Sequence, residues 1–290
     1  MGSQFEGFRV LSHVARNYIE NLYQGADADG HQFLLWTVAK ARVCESDWSV
    51  RTERQSLVHP GITRLFKVGE TEEYRYGVFE YVDGDLLSRR LNGPLPSRDA
   101  AAIMQQVALI LHGAHSQGWC HGHLTAWEVL LTKEGQPKLW DFQPVNGLAA
   151  FNPNEDCLFE IPRIIGGPAF MAPEQVKGNV RCSVESDVYA LGATLYFLVT
   201  ARPPFKAEPL IEVLMKVVQE PPVPPRQVNP LVDRKLDQII LKCLQKRPDA
   251  RYRTAAAVAD VLSQFVGRSA SGNSSFRKAW RILTQAFRGQ

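Results

Sequence analysis

The sequence predicts an α+β protein in which a small strand-rich region precedes a larger helical one. Three observations predict it. Two apolar, β-prone runs, Gln32–Lys40 and Tyr74–Val82, both lie before Gly84. Beyond Gly84 the apolar period changes: Ile103, Val107, Ile110 and Ala114 recur at helical spacing along one face. A further run, Asp187–Val199, is apolar nearly all round, the mark of a buried central helix rather than a surface one.

Taken in order, Asp27-Ala-Asp-Gly30 reads as a hairpin turn before the first strand run, and 46–58 as one short helix between the two runs. Ser97, following Pro96, reads as the N-cap of the first long helix. A last helix starts at Thr254 and carries Val258, Val261, Leu262 and Phe265. After Gly267, residues 269–275 have the composition of a flexible linker. Residues 276–287 then read as a short basic amphipathic helix, with Phe276, Trp280, Leu283 and Phe287 on one face. That helix has three open readings: a solvated end, a membrane-surface helix or a docking helix. The expected division is a small lobe over 1–80, a large lobe over 81–267 and a tail over 268–290.

The bulk numbers narrow the class. A chain of 290 residues with 45% hydrophobic and 22% charged residues can bury a large core in water. A net charge of +3 is too small to argue for nucleic acid. No run approaches the roughly 20 apolar residues of a membrane span, and the N-terminus carries no secretory pattern, so a cytoplasmic location is expected. Gly2 fits the start of an acylation pattern, but Glu6 stands where Ser or Thr is required. Cys44, Cys120, Cys157, Cys182 and Cys243 form no CxxC pair and are expected to be reduced, buried thiols. His112, His115, His121 and His123 offer HxxH and HxH spacings, but a zinc site is not the preferred reading, and His112 is expected on a helix surface.

Several segments, in order over residues 8–266, resemble the serine/threonine protein kinase family, especially its bacterial receptor-type branch. Gly166–Gln175, containing Ala172-Pro173-Glu174, looks like the end of an activation segment. Ser186–Gly192 looks like the start of the buried central helix, with Arg202-Pro-Pro-Phe205 after it. Arg247–Tyr252 looks like the late motif whose arginine pairs with the segment's glutamate, here Arg251 with Glu174. His59-Pro60 and the hinge-like Phe79–Val82 also match. The resemblance implies a bilobal fold with Glu174, Arg251 and Asp187 as structural anchors.

The family's catalytic parts are matched poorly. Phosphoryl transfer needs positioned phosphates, neutralised charge and a base. Aligning Leu22-Tyr23 with the family's Val-Tyr puts Ala15, Asn17 and Glu20 in the glycine slots, and 10–23 holds no glycine. Lys40 fills the strand-lysine slot, while Val50 occupies its partner's slot, with Glu53 one turn on. In the catalytic loop, His121–Glu128, Gly122 replaces the arginine, His123 the base aspartate, Thr125 the lysine and Glu128 the metal-binding asparagine. Asp141-Phe142 is kept and Gln143 replaces the next glycine. Gly167 replaces a threonine, and 142–174 contains no Ser, Thr or Tyr, so no phosphate switch can act there.

What the resemblance implies is therefore a pseudokinase, acting as a scaffold or allosteric regulator in signalling through a protein partner met by the activation segment or the tail. No cofactor is expected beyond weak ATP with magnesium in a vestigial site of Lys40, Asp141, Glu80 and Val82, the metal on Asp141 and Glu128. The alternative is an atypical low-activity kinase using Lys40, Asp141 and Glu128.

Overall fold

Alternating apolar residues from Phe8 onward build an antiparallel sheet, as period-two patterning requires. The computed structural model describes residues 4–16, 20–40, 56–140, 142–144, 167–178, 182–206 and 209–268. Its first strands are β1 (Gln4–Phe5), β2 (Phe8–Arg16), β3 (Glu20–Ala26), β4 (Gln32–Ala39), β5 (Leu65–Glu70) and β6 (Tyr74–Glu80). They form one sheet in the order β1-β2-β3-β4-β6-β5. The β3–β4 hairpin closes over Asp27–Gly30, where Asp27 Oδ1 accepts the amides of Asp29 and His31 at 3.0 and 2.8 Å.

The two faces of β4 have different neighbours. Phe33 and Leu35 join Tyr76 and Val78 on one face, covered by Phe5 and Phe8. Leu34, Trp36 and Val38 point the other way, toward the junction with the large lobe. A second sheet, β7 (Gly84–Leu86), β9 (Val129–Thr132) and β10 (Pro137–Leu139), lies under that junction in the order β10-β9-β7. The short pair β8 (Trp119–Cys120) and β11 (Gln143–Pro144) flanks the catalytic-loop stretch.

The large lobe is built on α1 (Ser97–His115), α2 (Pro173–Val176), α3 (Val184–Thr200), α4 (Leu210–Gln219), α5 (Pro225–Val228), α6 (Arg234–Cys243) and α7 (Ala255–Arg268). The apolar α3 is buried along nearly its whole length, with α1, α6 and α7 packed around it. Gly192 lets α6 approach: a Cβ there would lie 2.3 Å from Cys243 Cβ. No helix among the described residues is long and apolar enough to cross a membrane.

Three expectations are corrected. Ser97 is not an N-cap: the cap position is Pro96, and Ser97 Oγ instead accepts the Asp233 amide at 2.9 Å, tying α1 to α6. The central helix starts three residues earlier than expected, at Val184, because Ser183 and Ser186 cap each other's amides at 3.1 and 2.7 Å. Cys120 and Cys182 are not reduced thiols; a disulfide joins them, with 6.2 Å between their Cα atoms. Cys243 is a free, buried thiol, its pKa pushed up by burial to about 12. Cys44, Cys157, the 46–55 part of the expected short helix with Val50 and Glu53, Asn17, Asp141, activation-segment residues 145–166 and the tail from 269 all lie outside the described residues.

Candidate functional site at the lobe junction

The catalytic-loop stretch His121–Glu128 sits between β8 and β9, over the N-terminal end of α3. Three side chains from below hold its backbone. Asp187, fully buried on α3, accepts the His121 amide at Oδ2 (2.7 Å) and the Gly122 amide at Oδ1 (2.7 Å). Its Oδ2 also meets His115 Nε2 from α1 at 2.8 Å. Gln175 Nε2 donates to the Gly122 carbonyl at 2.7 Å, and Thr194 Oγ1 to the Leu124 carbonyl at 3.2 Å. Burial alone would raise the Asp187 pKa, but the His115 hydrogen bond, the charges of His115 and His121 and the His121 amide outweigh it and hold it below the ordinary carboxylate value.

Gly122 has φ +82°, a left-handed conformation that glycine adopts without the steric cost another residue would meet. The His121 ring is fully buried, 4.5 Å from the His123 ring and 5.1 Å from that of Phe142.

Thr125 and Glu128 turn toward each other. Glu128 Oε2 accepts both the Thr125 amide (2.9 Å) and the Thr125 hydroxyl (2.5 Å). Thr125 Oγ1 accepts the Trp127 amide at 3.1 Å, and the Glu128 amide donates to the Thr125 carbonyl at 3.2 Å. The Thr-x-x-Glu spacing is visible in the sequence and the carboxylate half of a capping box is made, but the Thr125 hydroxyl accepts the Trp127 amide instead of the Glu128 amide. Two substitutions that read separately as losses thus form one hydrogen-bonded unit.

Lys40, at the end of β4, points its Nζ to Glu70 Oε2 on β5 at 3.3 Å, and Arg75 Nε lies 3.6 Å from the same oxygen. Glu70 was not anticipated from the sequence; it lies on a strand paired to β6, not to β4, so only the sheet order brings it near. Glu80 accepts Lys138 Nζ at 2.5 Å and the Arg64 amide at 3.2 Å. Val82 is buried in an apolar cluster that crosses the junction. That cluster unites Leu22, Leu34, Trp36 and Val38 of the small lobe with Leu86 and Leu130 below, and Phe79 meets Trp140 edge-on at 6.0 Å.

Below the site, Arg251 uses all five of its N–H donors. Nη1 and Nη2 reach Glu174 Oε1 and Oε2 at 2.7 and 2.8 Å; the Glu185, Gln245 and Lys246 carbonyls take the rest. The guanidinium also stacks 4.9 Å over the Tyr189 ring.

Comparison with known proteins agrees with this architecture. The family model described as the protein kinase domain matches residues 24–262. The chain is 32% identical over 240 residues to the serine/threonine-protein kinase PknB of Mycolicibacterium smegmatis, covering 80% of this chain and 37% of that protein. It is 32% identical over 275 residues to the serine/threonine-protein kinase PrkC of Bacillus subtilis, covering 91% of this chain and 42% of that protein. It is 29% identical over 254 residues to the probable serine/threonine-protein kinase PknB of Lactococcus lactis, covering 84% and 40%. The chain thus spans about two fifths of the length of these relatives.

Proposed function

This chain belongs to the protein kinase family, among relatives of the bacterial serine/threonine kinases, and within it we propose a pseudokinase: a domain without phosphotransfer that works by binding a protein in a signalling pathway. The observation that carries the reading is the Thr125–Glu128 pair. Where the family places a cation and a metal-binding amide, this loop has a hydroxyl and a carboxylate, and they satisfy each other. The loop then offers no positive charge to a transferring phosphoryl group, and charge neutralisation is most of that reaction's catalysis.

The described residues fit magnesium-ATP poorly. Lys40 is engaged by Glu70. Glu128 Oε2 is already an acceptor for Thr125. The apolar side chains above and below the junction are packed into one buried cluster. Weak ATP with magnesium through Lys40, Asp141, Glu80, Val82 and Glu128 is the most that this arrangement supports. The lobes are assigned to 1–80 and 81–267, with a tail from 268, and the chain to the cytoplasm. The protein partner is assigned to the activation segment or the tail; Phe151, Leu158, Phe159, Ile161, Ile164 and Ile165 make that segment apolar.

A radiometric assay with magnesium-ATP tests this. The purified chain is expected to label neither itself nor a basic protein. Labelling that survives repurification and disappears in Lys40→Met overturns the proposal.

A further inference from the structure

The disulfide stands apart from the chemistry above, and the inference from it does not depend on whether the domain transfers phosphate. Cys120 ends β8, immediately before the catalytic loop. Cys182 immediately precedes Ser183, the N-cap of α3. The bond therefore joins the same two segments that Asp187 already joins through the His121 and Gly122 amides. It also lies beside the pairing of Cys120 with Gln143.

A cross-link that duplicates existing hydrogen bonds can open without unfolding the junction. That distinguishes it from a staple on which the fold depends. The Cα separation of 6.2 Å lies within the ordinary disulfide range. Cys120 and Cys182 are 0% and 2% exposed, so a small disulfide reaches them only through local opening of the β8–α3 contact. The third described cysteine, Cys243, is a free thiol equally buried and remote from the pair in sequence, its pKa pushed up by burial to about 12. The chain between the two bonded residues comprises the catalytic loop, Asp141-Phe142 and the activation segment.

We propose that Cys120 and Cys182 are a reversible thiol–disulfide modification site whose oxidant is a low-molecular-weight disulfide of the glutathione class. One protein thiolate attacks a sulfur of that disulfide; the reagent's S–S bond breaks, one thiolate leaves, and a mixed disulfide remains. The second protein thiolate attacks the protein sulfur of the mixed disulfide and expels the other thiolate. Two cysteines are oxidised, one reagent disulfide is reduced, and the two protons lost by the cysteines end on the departing thiolates. Oxidation fixes the two ends of the catalytic-loop and activation-segment stretch together; reduction leaves Asp187 and the β8–β11 pairing to hold them.

The test uses the full chain, as wild type and with Cys44→Ser and Cys157→Ser to remove competing thiols. Each is equilibrated in glutathione buffers of stepped oxidised-to-reduced ratio, acid-quenched, unfolded and alkylated, then read by intact mass and peptide mapping. The expected result is loss of two alkylation sites along the series, recovery on returning to reducing buffer, and a cross-linked peptide pair containing Cys120 and Cys182. The oxidised form should melt about 5–10 °C higher than the reduced one. This difference should be absent in Cys120→Ser and in Cys182→Ser. Amide exchange at His121 and Gly122 should remain protected in both states. Two alkylatable sites at every ratio, glutathione adducts without the internal bond, or loss of His121 and Gly122 protection on reduction would each overturn the proposal. The comparison of oxidised with reduced wild type needs no variant to fold.

Discussion

The support beneath the catalytic loop and the loop itself are satisfied in opposite ways. Asp187, and Arg251 through Glu174 and the Glu185 carbonyl, tie segments 65 to 77 residues apart in sequence, while Arg251's other two bonds go to the nearby Gln245 and Lys246 carbonyls. The hydrogen bonds between Thr125 and Glu128 instead join partners three residues apart. Distant ties fix tertiary structure, so removing one side leaves a buried charge or donor without its mate. Local ties fix only the shape of a turn. The fold of this domain therefore stands independently of the groups that line its loop, and changes in those groups carry little structural penalty.

That contrast can be broken by substitution, in a graded order. Arg251→Ala should have the largest effect, because Glu174 is then left without its bidentate partner and three carbonyls lose donors. A loss of roughly 3–5 kcal/mol is expected in urea unfolding, and a loss below about 1 kcal/mol would deny the support its role. Asp187→Asn should come next, at roughly 1.5–3 kcal/mol, the usual range for hydrogen bonds to a charged group.

Asp187 also sets a pH dependence. Its folded pKa lies below the ordinary 3.8, so between those values the unfolded chain binds the proton and the folded one does not. The contribution is complete above pH 3.8 and is lost as pH falls through the folded value. Acid unfolding of Asp187→Asn should accordingly show a weaker slope in that window than the parent chain. Equal slopes would mean that other carboxylates dominate.

Thr125→Val should cost less, about 1 kcal/mol, with the Asp187 and Arg251 ties unaffected. A cost equal to that of Arg251→Ala would erase the distinction between support and loop. Smallest of all should be Lys40→Met. Its pair with Glu70 is partly exposed on both sides, and such pairs contribute about 0–1 kcal/mol. A melting shift of more than a few degrees would show that Lys40 has an unrecognised structural partner.

Much of the fold was legible because it rests on periodicity. The apolar run 187–199 could only be a buried helix, and the two strand runs flanking 46–58 could only be sheet. Ser97 misled because its hydroxyl serves α6 across the lobe, a tertiary use that no local pattern reveals. The cysteines misled for the same reason: a separation of 62 residues carries no information about proximity. At the site, motif spacing located Glu174, Arg251 and Asp187 by number. Glu70 and Gln175 could not be found that way, since Glu70 reaches Lys40 only through the strand order and Gln175 reaches Gly122 only through the fold. The Thr125–Glu128 contact follows from a Thr-x-x-Glu spacing that only the two positions taken together reveal.

The cross-link also has a mechanical consequence. A domain pulled from its two termini lengthens by the contour of whatever chain the force can reach. With Cys120 bonded to Cys182, the 62-residue interval between them is short-circuited, and the load passes from one sulfur to the other. At roughly 3.3–3.6 Å per residue, the oxidised molecule should therefore release about 20 nm less length than the reduced one when stretched to rupture.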